Sequence, residues 1–301
     1  MVKRREILFG VAYFLNNPNG DIDNDNMPRQ LPDGRIFTTD VFLKRRIRDY
    51  VIDYYFDKEE NGKKFKVFIR PFVKTEEKGK TSLSKVKKED ILEKDLGKKY
   101  NLPDDALRVY WDVRVFGATF TDSDANTITG PVQFSYGVSY YSDEIMSNSI
   151  TTVVTKDDRG GIGVDNRAYK NVLFYYGVVN NKLAEISEMD EKDYEILKEA
   201  LINSLKNNTT HTKIGFKPLI LLEVIYNKDF RSYYGNMLVD LLNEDPKESS
   251  LELPVEKIKE LINNILEKYK EHIEEINIYV DNKYKPSFDG LDNEKIKIHD
   301  L

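Results

Sequence analysis

A strand, a polar loop and a helix follow one another near the start of the chain, and this junction limits the possible folds more than any other feature. Residues 7–15 are apolar and predict a strand, and residues 16–37 predict a loop rich in Asn, Gly, Asp and Pro. Thr38 or Thr39 can then cap a helix that runs to about residue 56. Loop amides and a helix N-terminus bind phosphate oxygens well. The junction is therefore typical of a site for a polyanion.

The predicted helix has an apolar face and cationic flanks. Its apolar side chains recur at helical spacing: Leu43, Ile47, Tyr50, Val51 and Tyr54. Lys44 and Arg48 share one flank, and Arg45 points away from the apolar face. On an isolated helix such charges more often form a solvated face. Beside the Asn- and Gly-rich loop we favour phosphate binding.

The charge of the chain is divided unevenly along its length. The net charge is −6, but residues 1–100 carry 23 Lys and Arg against 17 Asp and Glu, whereas residues 181–301 carry 17 against 25. A basic N-terminal part is an electrostatic feature of nucleic-acid-binding proteins. The chain has no cysteine and three histidines. Disulfides and thiol-bound metals are therefore excluded, and we expect no metal site and no cofactor.

The remaining elements predict an α+β fold. Apolar runs predict strands at residues 65–72, 109–116, 131–141, 168–179, 218–226 and 276–280, and helical spacing predicts helices at 190–207 and 254–273. This order suits a ferredoxin-like, antiparallel-sheet core. We expect a single domain over residues 1–301, with inserted elements at about 57–107 and 142–167.

Two stretches within these insertions stand out. Residues 74–99 are charged, with a weak helical pattern around Val86, Ile91 and Leu96, and predict a solvent-facing element. Residues 142–167 lack a sustained apolar period and contain Arg159-Gly-Gly-Ile-Gly163, which predicts a long projecting loop or hairpin. Such long segments inside compact domains are usually functional or disordered.

The loop at residues 21–25 resembles a calcium-binding loop, but the match fails. An EF-hand requires Gly at its sixth position and Glu at its twelfth, where this chain has Asn26 and Pro32. An Asx-rich turn that binds its own backbone is the interpretation we favour. A carboxylate cluster that holds Mg²⁺ for phosphodiester cleavage, built from Asp21, Asp23 and Asp25, stays open as the alternative.

A basic loop at residues 211–217 precedes the strand predicted at 218–226. His211, Lys213 and Lys217 are suited to phosphate contacts and equally to an ordinary exposed loop, and their residue types leave both interpretations open. The chain contains no P-loop, dinucleotide-binding fingerprint, nucleophile elbow or zinc-protease motif.

Taken in order along the chain, several short motifs resemble the repeated backbone subunit of type I CRISPR effector (Cascade) complexes, nearest to the I-B and I-C branches. The motifs are Asn17-Pro-Asn-Gly-Asp21, Met27-Pro-Arg29, Thr39-Asp-Val41, Lys44-Arg45, Arg48-Asp49, Asp112-Val-Arg114, Phe116-Gly-Ala118 and Gly130-Pro-Val-Gln133. The resemblance covers most of the chain to about residue 230.

The resemblance implies an RRM-like palm with a finger inserted at about 57–107 and a thumb at 142–167. It implies that copies stack along a CRISPR guide RNA, which pairs with target DNA while the protein holds its backbone. Other Cascade subunits would be further partners, and no residue would be catalytic. By position, it implies RNA contacts from Asn19, Arg29, Lys44, Arg45, Arg48, Gln133, Arg159, Arg167, His211, Lys213 and Lys217.

We therefore expect a non-enzymatic, guide-RNA-binding subunit of an antiviral ribonucleoprotein that forms head-to-tail oligomers. Two alternatives stay open. One is a metal-dependent ribonuclease that uses residues 21–25, and the other is a ferredoxin-like module that assembles with proteins and binds no nucleic acid. The cationic residues 3–5 imitate a signal peptide, but the apolar run after them is short and no cleavage site follows. We expect a cytoplasmic protein with no membrane partner.

Overall fold

The computed structural model describes residues 1–70, 72–77, 80–85, 88–97, 99–120, 127–152, 161–207, 209–291 and 293–301. These residues form two compact units. Unit 1 is built from Met1–Arg4, Lys44–Gln133 and Val178–Ser204, and unit 2 from Arg5–Leu43, Phe134–Gly177 and Leu205–Leu301. The finger-like insertion falls inside unit 1 and the thumb-like insertion inside unit 2. The single domain expected over residues 1–301 stays a prediction.

Helices and strands are interspersed along the described part of the chain. The helices are α1 (Asp40–Tyr54), α2 (Lys88–Leu96), α3 (Asp104–Val109), α4 (Trp111–Phe116), α5 (Asn181–Ile186), α6 (Glu191–Ser204), α7 (Met237–Leu241) and α8 (Val255–Tyr269). The strands are β1 (Arg5–Asn16), β2 (Gly20–Asp21), β3 (Met27–Pro28), β4 (Arg35–Thr38), β5 (Glu59–Glu60), β6 (Lys63–Lys64), β7 (Phe72–Glu77), β8 (Lys80–Lys85), β9 (Gly117–Thr119), β10 (Thr127–Thr129), β11 (Val132–Phe134), β12 (Gly137–Ser142), β13 (Ile145–Thr152), β14 (Gly161–Val179), β15 (Lys217–Tyr226), β16 (Ile273–Val280) and β17 (Ile296–Asp300).

Most of the long predicted elements are confirmed. The strands predicted at 7–15, 168–179, 218–226 and 276–280 are β1, part of β14, β15 and part of β16, and the predicted helices at 190–207 and 254–273 are α6 and α8. The strand predicted at 131–141 is divided into β11 and β12.

A large, mostly antiparallel sheet has the strand order β17-β16-β15-β1-β14-β12-β4, and β11 and β13 also pair with β14. β1 and β15 run antiparallel, with Arg5 opposite Ile225 and Ala12 opposite Lys217. β17 lies parallel to β16. The α+β class is confirmed. Because β1 and β15 are antiparallel, the loop after β1 and the loop before β15 lie at the same end of this strand pair.

The core of unit 2 lies between this sheet and α8. Five α8 side chains at the spacing of one helix face are buried: Ile258, Leu261, Ile262, Ile265 and Leu266. They pack in one cluster with apolar residues of β1, β15 and β16, including Leu8, Leu222 and Ile278. Each such buried side chain contributes about 1.5–3 kcal/mol. The segment after residue 240, to which the sequence assigned no function, therefore completes the core of unit 2.

α1 begins where the capping residues predict. The Thr39 hydroxyl oxygen accepts a hydrogen bond from the backbone nitrogen of Phe42 at 3.4 Å, and Asp40 places a negative charge in the first turn. The predicted apolar face is buried at Leu43, Ile47 and Val51. None of the helices in the described part of the chain combines the length and the apolar character that crossing a membrane requires.

The segment predicted as a strand at 109–116 is helical, and this prediction is wrong. Apolar residues alternate with polar ones there, which imitates a strand with one solvated face. In the structure the polar residues Asp112 and Arg114 are buried as well, because each has a charged partner. The alternation therefore does not mark a solvent face, and the segment forms α3 and α4.

The prediction of a strand at residues 65–72 is also wrong. Lys66 makes an isolated bridge with Tyr110, and the next strand begins at Phe72. The N–H groups of Phe68 and Ile69 donate to the Asp112 carboxylate at 2.7 and 3.0 Å. A carboxylate thus satisfies backbone donors that a neighbouring strand would otherwise bind.

The charged stretch at 74–99 forms a hairpin, β7 with β8, and then α2. Ile91 and Leu92 of α2 are buried in the core of unit 1, in a cluster that contains Phe68, Tyr110 and Val113. The expectation of a solvent-facing element is therefore wrong at α2, because its apolar face completes a core.

Candidate nucleic-acid interface

The loop after β1 is held by the loop before β15. Asn16 Nδ2 donates to the carbonyl oxygen of Ile214 at 2.9 Å, and the backbone N–H of Asn17 donates to the carbonyl oxygen of Thr212 at 2.8 Å. The junction loop, which contains Asn19, and the basic loop at 211–217 therefore form one surface of unit 2. The sequence analysis predicted these two loops only as separate candidate sites.

Asn166 joins the hairpin of β13 and β14 to the same loop. Its Nδ2 donates to the carbonyl oxygen of Asp25 at 2.8 Å, and its carbonyl oxygen accepts from Asn17 Nδ2 at 3.0 Å. Its Oδ1 accepts from the Ser147 hydroxyl at 2.7 Å across the hairpin. Asn166 is buried. The sequence analysis missed this residue, since no local pattern marks an amide whose partners lie far away in the chain.

Two predicted contacts, Arg167 and His211, lie against each other. Arg167 Nη1 donates to the carbonyl oxygen of Leu15 at 3.0 Å, and Nη2 lies 3.2 Å from His211 Nδ1. Arg167 also pairs with Asp165 at 2.8 Å. The structure therefore places a positioned guanidinium and an imidazole at the end of β1, beside the junction loop.

Arg29 closes the junction loop on itself. Its Nη2 lies 3.1 Å from Asp21 Oδ1, and the short strands β2 and β3 pair Gly20 with Pro28. The N–H of Asp23 donates to Asp21 Oδ1 at 3.4 Å, as expected for an Asx-rich turn. Within the described ranges, no three His, Asp or Glu side chains come together so as to hold a metal ion.

The two lysines of the basic loop differ in surroundings. Lys217 begins β15, and its Nζ lies 2.7 Å from Asp281 Oδ2, although the side chain is largely exposed. Lys213 lies in a turn closed by the hydrogen bond from its N–H to the carbonyl oxygen of Thr210 at 2.9 Å. The Lys217 ammonium group is therefore already in an ion pair with a carboxylate.

In unit 1, Lys44 and Gln133 come together beside an aromatic ring. Lys44 Nζ donates to Gln133 Oε1 at 3.0 Å, and Gln133 Nε2 donates to the carbonyl oxygen of Gly130 at 3.1 Å. Lys44 Nζ and Arg48 Cζ lie 5.6 and 5.1 Å from the centre of the Phe116 ring, within the range of a cation–π interaction. The sequence predicted both polar residues, but not their contact.

The other two α1 cations of the prediction have ion-pair partners. Arg45 pairs with Asp49 at 2.7 Å on the helix surface, and its side chain is 40% exposed. Arg48 is buried and pairs with Asp112 at 2.9 Å. Arg48 thus has a structural role inside unit 1, and its contact with RNA stays a prediction.

Two glycines explain why Phe116-Gly-Ala118 and Gly130-Pro-Val-Gln133 appear as motifs. Gly117 has a φ of +80°, and a Cβ there would lie 2.2 Å from the carbonyl oxygen of Ile128. A Cβ at Gly130 would lie 2.1 Å from the carbonyl carbon of Phe116. Only glycine permits this close approach, which positions Phe116 and Gln133.

The thumb-like segment is a β-hairpin in its described part. β13 and β14 pair from Ile145 opposite Ala168 to Thr152 opposite Gly161. Met146, Ile150 and Val164 are exposed apolar side chains on it. The hairpin alternative of the prediction is confirmed, and Arg159 lies outside the described residues.

Comparison with known proteins identifies relatives of the chain. Residues 3–260 match the family model of CRISPR-associated protein Cas7. CRISPR-associated protein Cas7 from Haloferax volcanii is 29% identical over 319 residues, which cover 94% of this chain and 88% of that protein.

Two solved structures share the fold. A chain of a "CRISPR RNA-guided surveillance complex, pre-nicking" superposes with a TM-score of 0.57 at 13% identity and covers 99% of this chain and 96% of that one. A chain of a "CRISPR RNA-guided surveillance complex" has a TM-score of 0.53 at 15% identity, with coverage of 93% and 90%. At these identities the likeness establishes the fold.

Proposed function

The chain belongs to the family of CRISPR-associated protein Cas7, and from this premise we propose that it is a non-catalytic subunit that binds CRISPR guide RNA and repeats along it. Its partners would be the guide RNA, target DNA paired to the guide, further copies of itself and other subunits of a cytoplasmic Cascade complex. The family match over residues 3–260 carries this proposal. The fold shared with chains of RNA-guided surveillance complexes supports it.

We infer a ferredoxin-like, RRM-like core from the order of four strands. In the sequence, β1 is followed by α1 and β12, and β14 by α6 and β15. In the sheet, β14 separates β1 from β12, and β1 separates β14 from β15. Two interleaved split βαβ units of this kind are the ferredoxin-like arrangement. The hairpin of β13 and β14 would then be the thumb, and the insertion within unit 1 the finger.

Each unit offers a group of basic side chains for guide phosphates. In unit 2 these are Arg29, Arg167, His211, Lys213 and Lys217, around the loop that contains Asn19. In unit 1 they are Lys44 and Arg45, beside Gln133. Arg48, which is buried in its ion pair with Asp112, would have to exchange that partner to contribute. Several of these side chains already have a carboxylate partner, so RNA would compete for them or add a second partner. Phosphate contacts of this kind position a strand without reading its sequence.

Charge reversal of two α1 cations tests the proposal. Lys44→Glu with Arg45→Glu is expected to weaken binding of single-stranded RNA by a similar factor for all sequences, because phosphates are lost as ligands. The slope of log K against log salt should become shallower by roughly 0.7 for each lost contact. Fluorescence anisotropy with labelled RNA at several salt concentrations measures both effects.

A matched control uses two cations of unit 1 that, like Arg45, are in short-range helical ion pairs. Lys182 pairs with Glu185 and Arg108 with Asp105, and their side chains are 70% and 67% exposed. Lys182→Glu with Arg108→Glu should leave the slope unchanged. An unchanged slope in the α1 variant, with the fold intact, would remove α1 from the RNA site.

The ribonuclease alternative is tested by activity. We expect no cleavage of free or guide RNA in Mg²⁺ or Mn²⁺, because Asp21 is engaged by Arg29 and the described residues bring no third ligand to it. Gel electrophoresis of end-labelled RNA provides the measurement. Cleavage that disappears in Asp21→Ala or Asp23→Ala would favour the ribonuclease.

The other alternative is a ferredoxin-like module that assembles with proteins and binds no nucleic acid. It predicts that the purified protein carries no RNA.

A further inference from the structure

One face of the central sheet is covered by the C-terminal segment, except at one end. Side chains of a strand alternate between faces, so Leu8, Ala12 and Phe14 of β1 point to the same side. Leu8 and Ala12 are buried in the cluster that includes Ile262 and Ile265 of α8. Phe14 is 50% exposed. The α8 cluster therefore covers Leu8 and Ala12 but leaves Phe14, further along the same strand, accessible.

Phe14 is paired with a second aromatic ring. Its ring centre lies 5.8 Å from that of Tyr169, at an interplanar angle of 54°. Tyr169 belongs to β14, the neighbour of β1 in the sheet, and is partly exposed. Lys170 Nζ lies 5.0 Å from the centre of the Tyr169 ring. Two adjacent strands thus present an accessible aromatic pair with a cation beside it. This pair is called the ring pair below.

The ring pair adjoins the cationic end of β1. Leu15, which follows Phe14, has a φ of +48°, and its carbonyl oxygen accepts from Arg167. Arg167 precedes Tyr169 by two residues and lies against His211. The Arg167 guanidinium and the His211 imidazole, both suited to phosphate contacts, therefore lie near the rings, within the surface that the proposed function assigns to the guide.

Tyr169 also borders a cleft that is less suited to phosphate. This open cleft of about 350 Å³ is lined by Tyr169 and Lys170 together with the acidic residues Asp143, Glu144 and Glu248. Carboxylates repel a phosphate but accept hydrogen bonds from the amino groups of a base. The charge distribution thus orients a bound nucleotide with its phosphate toward Arg167 and its base toward the ring pair.

We propose that Phe14 and Tyr169 form a stacking platform for one unpaired base of the bound RNA. The inference rests on the proposed function and adds that this surface binds the base of a nucleotide, in addition to the phosphates. Aromatic side chains on the sheet of an RRM stack bases in this way. In this chain the α8 cluster covers Leu8 and Ala12, so stacking is confined to the uncovered end of β1, where Phe14 meets Tyr169. The platform should accept any base, since every base has a π face.

The test uses a short single-stranded RNA in which 2-aminopurine replaces one base at successive positions. Wild-type protein should quench the fluorescence strongly at the position that stacks on the ring pair. Phe14→Ala should abolish that quenching and weaken binding about 5- to 150-fold, the range for one lost base–aromatic stack. The salt slope should not change, because a ring binds no phosphate.

Two further variants make the test specific. Phe14→Trp keeps an aromatic surface and should retain both quenching and affinity. Tyr136→Ala removes another exposed ring of unit 2, which stacks on Phe37 at 6.1 Å, and should behave as wild type. Wild-type affinity and quenching in Phe14→Ala would overturn the platform while leaving RNA binding established. Failure of the wild-type protein to bind RNA would overturn the proposed function itself, and the platform with it.

Discussion

Replacing Arg114 with methionine is expected to lower the free energy of unfolding by about 3–5 kcal/mol, because it leaves a buried carboxylate without its partner. Arg114 Nε and Nη2 donate to the two oxygens of Asp193 at 2.9 and 2.8 Å, and both side chains are fully buried. Nη1 and Nη2 also donate to the carbonyl oxygens of Leu107 and Lys64 at 2.7 and 3.1 Å.

The chain contains a suitable probe and control for this measurement. Trp111 is the only tryptophan, it is buried in unit 1, and its Nε1 donates to the carbonyl oxygen of Asp193 at 3.2 Å. Its fluorescence during urea unfolding therefore follows the affected region. Arg108→Met removes an exposed arginine paired with Asp105 and should cost less than about 1 kcal/mol.

A second substitution identifies the cause. Adding Asp193→Asn to Arg114→Met removes the unpaired charge and should recover part of the lost stability. A loss in Arg114→Met as small as that in Arg108→Met, or a double variant less stable than either single one, would contradict a dominant role for the buried ion pair.

Shortening the hairpin of β13 and β14 is expected to abolish ordered assembly on RNA. Ser149 and Val164 face each other across the hairpin, so Asn-Gly in place of residues 150–163 can close it with a two-residue turn. The base of the hairpin stays intact, because Ser147, Asn166 and Arg167 keep their contacts. The fold should therefore persist, and single-copy RNA binding should lose no more than the contact implied for Arg159.

Light scattering with RNAs of increasing length measures the effect. A head-to-tail contact between two different surfaces produces an open assembly, so the mass of wild-type complexes should grow with RNA length. The shortened variant should bind without this growth. Length-dependent growth of the variant, or a wild-type dimer of fixed size on every RNA, would contradict the model of a repeating subunit with a thumb.

The elements that the sequence predicted correctly are those whose own residues carry the pattern of burial. β1 is apolar and buried on both faces from Ile7 to Tyr13, β15 is so from Pro218 to Val224 apart from the buried Glu223, and α8 repeats its apolar residues at helical spacing. The predictions failed at 65–72 and 109–116, where the pattern depends on distant partners. Asp112 binds Arg48, 64 residues away, and Arg114 binds Asp193, 79 residues away. No local period contains that information.

For the candidate site, the sequence alone determined which residue types surround the strand–loop–helix junction and which family the chain resembles. Only the tertiary structure brought Arg167 to the carbonyl oxygen of Leu15, 152 residues away, and beside His211. It also distinguished Arg48, buried in an ion pair, from Arg45 on the surface of the same helix. The physical reason is that desolvation and charge pairing decide whether an arginine stabilises the fold or remains available to a ligand, and both depend on groups that only folding brings near.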